Sequence, residues 1–539
     1  MEKPTLTPVL TPALVEDAEM EHAEKSETFP GSAPALVESF SIEGLYGYRT
    51  VSMSASFAAT ILIAKNGSGK TTLIGALDAF LRCQFGRLSN LHFKRIVCKL
   101  RGIDGYLELD SSDVEALMSV PDSHDFIMQA RRYGVDPSQL LDFLENEFSP
   151  QKKAAEFEED EVFKKIYARF NYNYSETKRA CEKIADSIRN RVPAVEEIRL
   201  KIRSVLKDVE IVYLPTYRRI ELSLGESFDE ARPRRRPSIQ SRLGLPKRGF
   251  FNTDIQFGLG DISERLRDLN GQLMASSNQG YREISAKIIN DLLDGTFERE
   301  APALGDRPDK ESLSLFFSRL KQGSRFVFGT YFDRVEIPDV DKIYNEGASS
   351  DTSNKFLNYF LSKLNTVIQA TRSIEGLVDD FVNHSNAYLS AADSSTELKN
   401  PSQDGARVAG RDDKKLEIDR LNLQVHVRSI AAKRRVDMDA LSSGEKQMIS
   451  LFARLYLYPG PKIVLIDEPE LSLSIDWQRK ILLDVVNAPT CMQIVAITHS
   501  PFVFDNALER YAKALALRID QVPGDAEIGD LFVEEGADE

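Results

Sequence analysis

The sequence predicts an α/β fold, one head built from two terminal segments, 36–110 and 416–539, whose halves meet in space around a mainly helical insert at 111–415. Three observations carry this. The apolar run TILI ends in a Gly-rich turn and passes directly into a helical pattern, TTLIGALDAFLRCQF. Near the other end, a second apolar run, IVLI, ends in two acids. Uninterrupted apolar strands of this kind are buried on both faces, as in parallel sheets covered by helices. Between the two runs the chain reads mostly as helices, with charged stretches such as EFEEDEVFKKIYARF.

In chain order, residues 1–35 carry Thr-Pro repeats and seven acids against two lysines, and are expected to be a disordered acidic tail. ALVESFSIEGL, YRTVSMSASF and ATILIAK read as three strands, and IDGYLELD at 103–110 as a fourth. EIVYLP at 210–215 reads as a short strand inside the insert. ARPRRRPSIQSRLGLPKRG at 231–249 is dense in Arg, Pro and Gly and reads as a loop. Helices are expected at 261–295 and 355–392, followed by a polar break and a return to alternating strands and helices from about 416. No heptad pattern is sustained over hundreds of residues, which excludes a long coiled coil.

No apolar run approaches the roughly 20 residues a membrane helix needs, and no basic start leads into an apolar core. The four cysteines form no CxxC pair, so neither a zinc site nor a disulfide framework is indicated. A cytoplasmic protein with reduced thiols is expected. The net charge of −14 weighs against non-specific wrapping of nucleic acid, since that affinity comes from neutralised phosphates.

The motif AKNGSGKTT, Ala64–Thr72, sits between a strand and a helix, the context a phosphate-binding loop requires. Asn66, Gly67, Ser68 and Gly69 form its curl, and the glycines let backbone N–H groups point inward at a phosphate. The helix N-terminus adds partial positive charge. Lys70 would reach the β- and γ-phosphates, Thr71 would place its hydroxyl on Mg²⁺, and Thr72 would contact the α-phosphate. The usual first glycine of this pattern is Ala64 here, which fits if its φ is negative. In IVLIDEPE, Asp467 is positioned to hold Mg²⁺ and Glu468 to polarise an attacking water. LSSGEKQ at 441–447 places Ser442 and Gly444 at the start of a further helix, and VAITHSPF ends a strand at His499. Tyr46 and Tyr48 are candidates to stack on a base, and Gln84 reads as an ordinary helix residue.

The ordered set AKNGSGKTT, LSSGEKQ, IDEPELSL and THS resembles the ABC/SMC-like P-loop ATPases. The resemblance covers about 200 residues of the head. It implies ATP as the nucleotide and a signature motif, Ser442 with Gly444, that completes the site of a second subunit, hence a homodimer or higher oligomer. It also implies His499 as the switch histidine. Two departures stand out: Ser443 replaces the first glycine of the LSGGQ signature, and Ser474 stands in the D-loop where many relatives carry Asp or His. IDEPELSLSIDWQ, THSPF and IVYLPTYRRIE are similar to the PtuA ATPases of Septu and retron anti-phage systems. That likeness implies a small HNH nuclease partner of the PtuB kind, held in check by the ATPase. In retrons it further implies a reverse transcriptase with its msDNA and ncRNA. Forty residues follow His499, too few for the Toprim nuclease of OLD-type relatives, and no HNH motif is visible, so no intrinsic nuclease is expected.

A basic stretch carrying Arg232, Arg234, Arg235, Arg236, Lys247 and Arg248, and TYRR at 216–219, are candidate nucleic-acid contacts or solvated loops. The alternative readings are a RecF/Rad50-like DNA-repair head, which the missing long coiled coil and the large insert disfavour, and a transporter motor, which the inserts and divergent signature disfavour.

Overall fold

The computed structural model describes residues 29–65, 67–120, 124–148, 157, 160–215, 259–294, 307–323, 338–344, 351–390 and 413–520. A central parallel sheet is formed by β3 (Ala59–Ile63), β6 (Glu210–Leu214), β10 (Lys462–Asp467), β11 (Cys491–Thr498) and β12 (Ala512–Ala514), in the order β12-β3-β11-β10-β6. Its strands are apolar on both faces because both faces are covered. On one side Leu62, Ile463, Leu465, Val495 and Ile497 pack with the helix Lys70–Leu81 and an antiparallel sheet. On the other, Ile61, Val464, Ile466, Ile494 and Ala496 pack under the helices Ser443–Tyr456 and Ile475–Asn487. The alternation along each strand follows from the period of two that sends successive side chains to opposite faces.

The antiparallel sheet joins β1 (Val37–Leu45), β2 (Arg49–Ser54), β4 (Arg95–Leu100), β5 (Leu107–Asp110) and β13 (Ala516–Ile519) in the order β13-β2-β1-β4-β5. A small sheet of β7 (Lys414–Asp419), β8 (Gln424–Ser429) and β9 (Arg435–Val436) lies before the Ser443 helix. Both terminal segments therefore enter one head: β3 pairs with β11 and β12, and β2 with β13.

Three features differ from the sequence reading. RIVCKL is the strand β4, paired with both β1 and β5. The EIVYLP strand is not confined to the insert; as β6 it pairs parallel with β10, Leu214 opposite Ile466. Residues 29–35 pack on the head: Ala35 is buried, and Phe29 stacks on Tyr511 at 5.9 Å between centroids. Residues 1–28 of the expected tail lie outside the described residues.

The insert has cores of its own. Phe126, Phe143, Phe163, Cys181 and Ile188 belong to one cluster, and Leu313, Phe316, Phe317, Leu361 and Leu364 to another. Two long helices, Leu259–Leu293 and Asp351–Leu389, connect the second cluster to the head. Leu266 and Leu273 on the first, and Val378, Phe381 and Tyr388 on the second, pack in the head core. Tyr281 and Ile284 on the first, and Leu361 and Leu364 on the second, pack in the distal cluster. The pair is thus antiparallel, and 39 residues at about 1.5 Å each span about 58 Å. Among the described residues, no helix is long and apolar enough to cross a membrane.

Candidate nucleotide site

The carboxyl ends of β3, β10 and β11 meet, and the motif residues sit there. Gly67 and Gly69 have φ of +79° and +88°, the left-handed region open to glycine at little cost. A Cβ on Gly69 would also lie 3.3 Å from Val51 Cγ2. Ser68 is buried and donates from Oγ to the Lys65 carbonyl at 2.8 Å, closing the turn. Gly69 caps the helix Lys70–Leu81, placing Lys70, Thr71 and Thr72 in its first turn. Ala64 is not among the residues with positive φ, so that position needs no glycine. Asn66 lies outside the described residues.

Lys70 is buried, and its Nζ donates to Glu468 Oε1 at 2.9 Å. It also contacts His499 Nε2, and His499 Nε2 lies 3.3 Å from Glu468 Oε1. Three residues named from separate motifs thus converge on one point, across 398 and 429 positions of sequence. Asp467 ends β10 and is buried. Glu468 follows it with φ of +54°, an uncommon conformation for a residue with a Cβ, and its N–H donates to the Ile497 carbonyl at 2.8 Å. Strain of this kind costs about 1–3 kcal/mol and is concentrated at functional sites.

Two groups escaped the sequence reading. Arg49 donates from Nη1 to the Gly67 carbonyl at 2.9 Å, and its guanidinium lies 5.0 Å from the Tyr46 ring centroid and 5.5 Å from that of Tyr48. Both base-stacking candidates therefore border the phosphate loop through one arginine. YGYRT sets an arginine beside two tyrosines, but its reach to Gly67 cannot be read from the sequence. Glu470, the last residue of IDEPE, accepts from Thr498 Oγ1 and from the His499 N–H, each at 2.8 Å. Burial raises its pKa first, and the Glu468 charge adds to the rise, while its hydrogen bonds oppose it.

The signature begins the helix Ser443–Tyr456. Ser442 is the exposed N-cap of the Ser443–Tyr456 helix, in a capping box with Glu445: Ser442 Oγ accepts from the Glu445 N–H at 3.3 Å, and the Ser442 N–H donates to Glu445 Oε2 at 2.7 Å. Lys414 Nζ pairs with Glu445 at 2.9 Å, pinning the turn to β7. Ser442 and Gly444 make no hydrogen bond with Lys70, Glu468 or His499 among the described residues. A Cβ on Gly444 would lie 2.2 Å from the Ser472 carbonyl oxygen, so this glycine lets the signature helix touch the D-loop. Gly444→Ala is expected to lower unfolding stability by about 1–3 kcal/mol through this overlap; wild-type stability in denaturant titration would contradict it. Ser474 caps the following helix, accepting from the Trp477 N–H at 3.4 Å.

Gln84 donates to the Asn146 carbonyl and accepts from Arg87, which places it at the junction of head and insert. In β6, Leu214 pairs with Ile466, the residue before Asp467; TYRR is residues 216–219 of the sequence. That segment and Arg232, Arg234, Arg235, Arg236, Lys247 and Arg248 lie outside the described residues.

The residues present fit a Mg²⁺-bound nucleoside triphosphate. Gly67 faces open space, with nothing within 4 Å of a Cβ placed there, as a cradle for phosphate requires. Thr71 and Asp467 would hold the cation, which would neutralise phosphate charge when bound.

A parallel sheet of order β12-β3-β11-β10-β6, with the phosphate loop after β3, the acidic pair after β10 and a histidine after β11, is the fold of an ABC/SMC-like P-loop head. The family described as "AAA domain, putative AbiEii toxin, Type IV TA system" matches residues 278–505, a span holding the signature, the acidic pair and His499 but not the phosphate loop. No curated protein matches the chain. Among solved structures, the chain is similar to the Smc head domain of Pyrococcus furiosus with an extended coiled coil, bound to the C-terminal domain of ScpA. The identity is 12%, covering 90% of this chain and 96% of that one, with a TM-score of 0.29. It is also similar to an SmcHead bound to the C-winged helix domain of ScpA, at 17% identity, covering 30% and 46%, with a TM-score of 0.18. At these scores the fold assignment stands on the strand order and motif placement, not on these likenesses.

Proposed function

We propose that the chain binds and hydrolyses ATP as the regulatory subunit of an anti-phage defence complex, two copies sharing their nucleotide sites and restraining a partner HNH nuclease of the PtuB kind. The convergence of Lys70, Glu468 and His499 carries the ATPase part of this reading. In that scheme Lys70 binds the terminal phosphates, and Glu468 takes the proton of the attacking water. His499 orients the water and the γ-phosphate. Arg49 and a neighbouring tyrosine border the base or the α-phosphate. Ser442 and the Gly444 N–H meet the γ-phosphate held by the second copy. The likeness of IVYLPTYRRIE and IDEPELSLSIDWQ to PtuA supports the defence role. A reverse transcriptase with its msDNA belongs to the same proposal where the operon encodes one.

Expression from the native operon with a tag on this chain tests the assembly. A small HNH chain is expected to co-purify, and the pair to cleave nucleic acid that this chain alone leaves intact. Recovery of the chain without any nuclease, or beside recombination proteins, would favour a DNA-repair role instead.

A further inference from the structure

The one carboxylate of IDEPE without a place in the reaction is Glu470, and its contacts are not those of a solvated turn residue. Its two oxygens are divided between two donors at the end of the neighbouring strand: Oε1 takes the His499 N–H and Oε2 takes the Thr498 hydroxyl. Both donors belong to the turn where β11 ends and the histidine leaves the sheet. The carboxylate arrives from β10, two residues after Glu468. Its own main-chain carbonyl is held by Gln478 Nε2 at 3.3 Å, and Gln478 Oε1 accepts from Ser500 Oγ at 2.7 Å, so the far side of the same turn is tied to the same residue. Thr498 Oγ1 also accepts from the Ser500 N–H at 3.0 Å. Residues 498–500 are thus gripped on both sides by groups anchored next to Glu468.

From this we infer that Glu470 is a positioning residue: it sets the distance between His499 and Glu468 by bracing the backbone that carries the histidine. The inference rests on the ATPase reading above, and it adds to that reading a residue that acts through the backbone of His499. Charge-assisted bonds from a backbone N–H and a hydroxyl are short and directional, and a displacement of about 1 Å in a catalytic group can cost about 100-fold in rate.

The test uses the full chain. Glu470→Ala removes both acceptors, and kcat for ATP is expected to fall about 100-fold while KM stays within about threefold. Glu470→Gln keeps one amide oxygen for the His499 N–H and can donate to the Thr498 hydroxyl, so it should recover most of the loss. If Glu470 acts through the histidine, Glu470→Ala should cost less than about twofold in a His499→Ala background. Full additivity in that cycle, or a loss confined to KM, would overturn the inference. Hydrogen exchange supplies a readout that needs no turnover: the His499 amide should exchange at least about tenfold faster in Glu470→Ala, with β10 and β11 protection unchanged. Unchanged exchange at 498–500 refutes the bracing, and loss of protection throughout both strands refutes a specific role. Absent ATP hydrolysis in the wild type would sink the ATPase reading, while the exchange result would still decide the bracing.

Discussion

Glu468→Gln is expected to reduce ATP turnover by about 100- to 10,000-fold, the usual contribution of a positioned general base, while binding ATP at least as tightly as the wild type. The structure gives reasons for both halves. The carboxylate lies within hydrogen-bond reach of Lys70 and beside His499, at the end of β10, so an amide there leaves the fold intact and removes only the proton acceptor. Lys70 Nζ pairs with Glu468 Oε1 at 2.9 Å. An arriving γ-phosphate must compete with that carboxylate for the same ammonium, in a place where Lys70 is only 6% exposed and charges are weakly screened. Glutamine does not compete as a charge. Single-turnover hydrolysis and equilibrium binding of ATP separate the two effects. Turnover at the wild-type rate would remove Glu468 from the chemistry, and weaker ATP binding would mean that the Lys70–Glu468 pair assists binding instead of opposing it.

What could be read from the sequence divides along a physical line. The phosphate loop, the acidic pair and the histidine are each contiguous, and each sits at a strand end whose apolar run marks it as buried; the convergence of Lys70, Glu468 and His499 follows once those strands are neighbours in one sheet. The bracing by Glu470 and the reach of Arg49 to Gly67 are different in kind. They depend on which strand lies beside which and on the direction of one side chain, and neither a glutamate after a proline nor an arginine after a tyrosine shows that on its own. The same holds for β6: EIVYL has the composition of a strand anywhere, and only its pairing with β10 assigns it to the head. RIVCKL escaped for a simpler reason. It is a short strand whose residues alternate between buried and partly exposed, shortly after the 3-10 helix Phe85–Asn90. The capping box at Ser442 shows a further limit, since serine at a helix start serves equally well to cap the helix and to hold a phosphate. Ser442 caps its helix through Oγ, which leaves the second role to a partner's phosphate.

That double duty makes the signature the sharpest test of a shared site. Lys70→Ala should lose ATP binding outright, because it removes the buried ammonium that sits in the first turn after the phosphate loop. Ser442→Arg should still bind ATP in the Lys70 half-site but present a bulky cation where the second copy's phosphate must enter, so its hydrolysis should fall to background. The N-cap penalty of that change, about 1 kcal/mol, is too small to unfold a head with this much buried core. If each site takes Lys70 from one copy and Ser442 from the other, a mixed dimer carries one site with both defects and one with neither. Random pairing makes about half the dimers mixed, so an equimolar mixture of two inactive proteins should regain about a quarter of wild-type turnover. A single chain that closed its own site would give no recovery at any ratio, because every copy would carry one lesion in its only site. Titrating one variant into the other at constant total protein, with ATP hydrolysis as the readout, therefore distinguishes the two arrangements. A flat line would end the shared-site proposal, even though the Lys70 cluster would remain a nucleotide site within each chain.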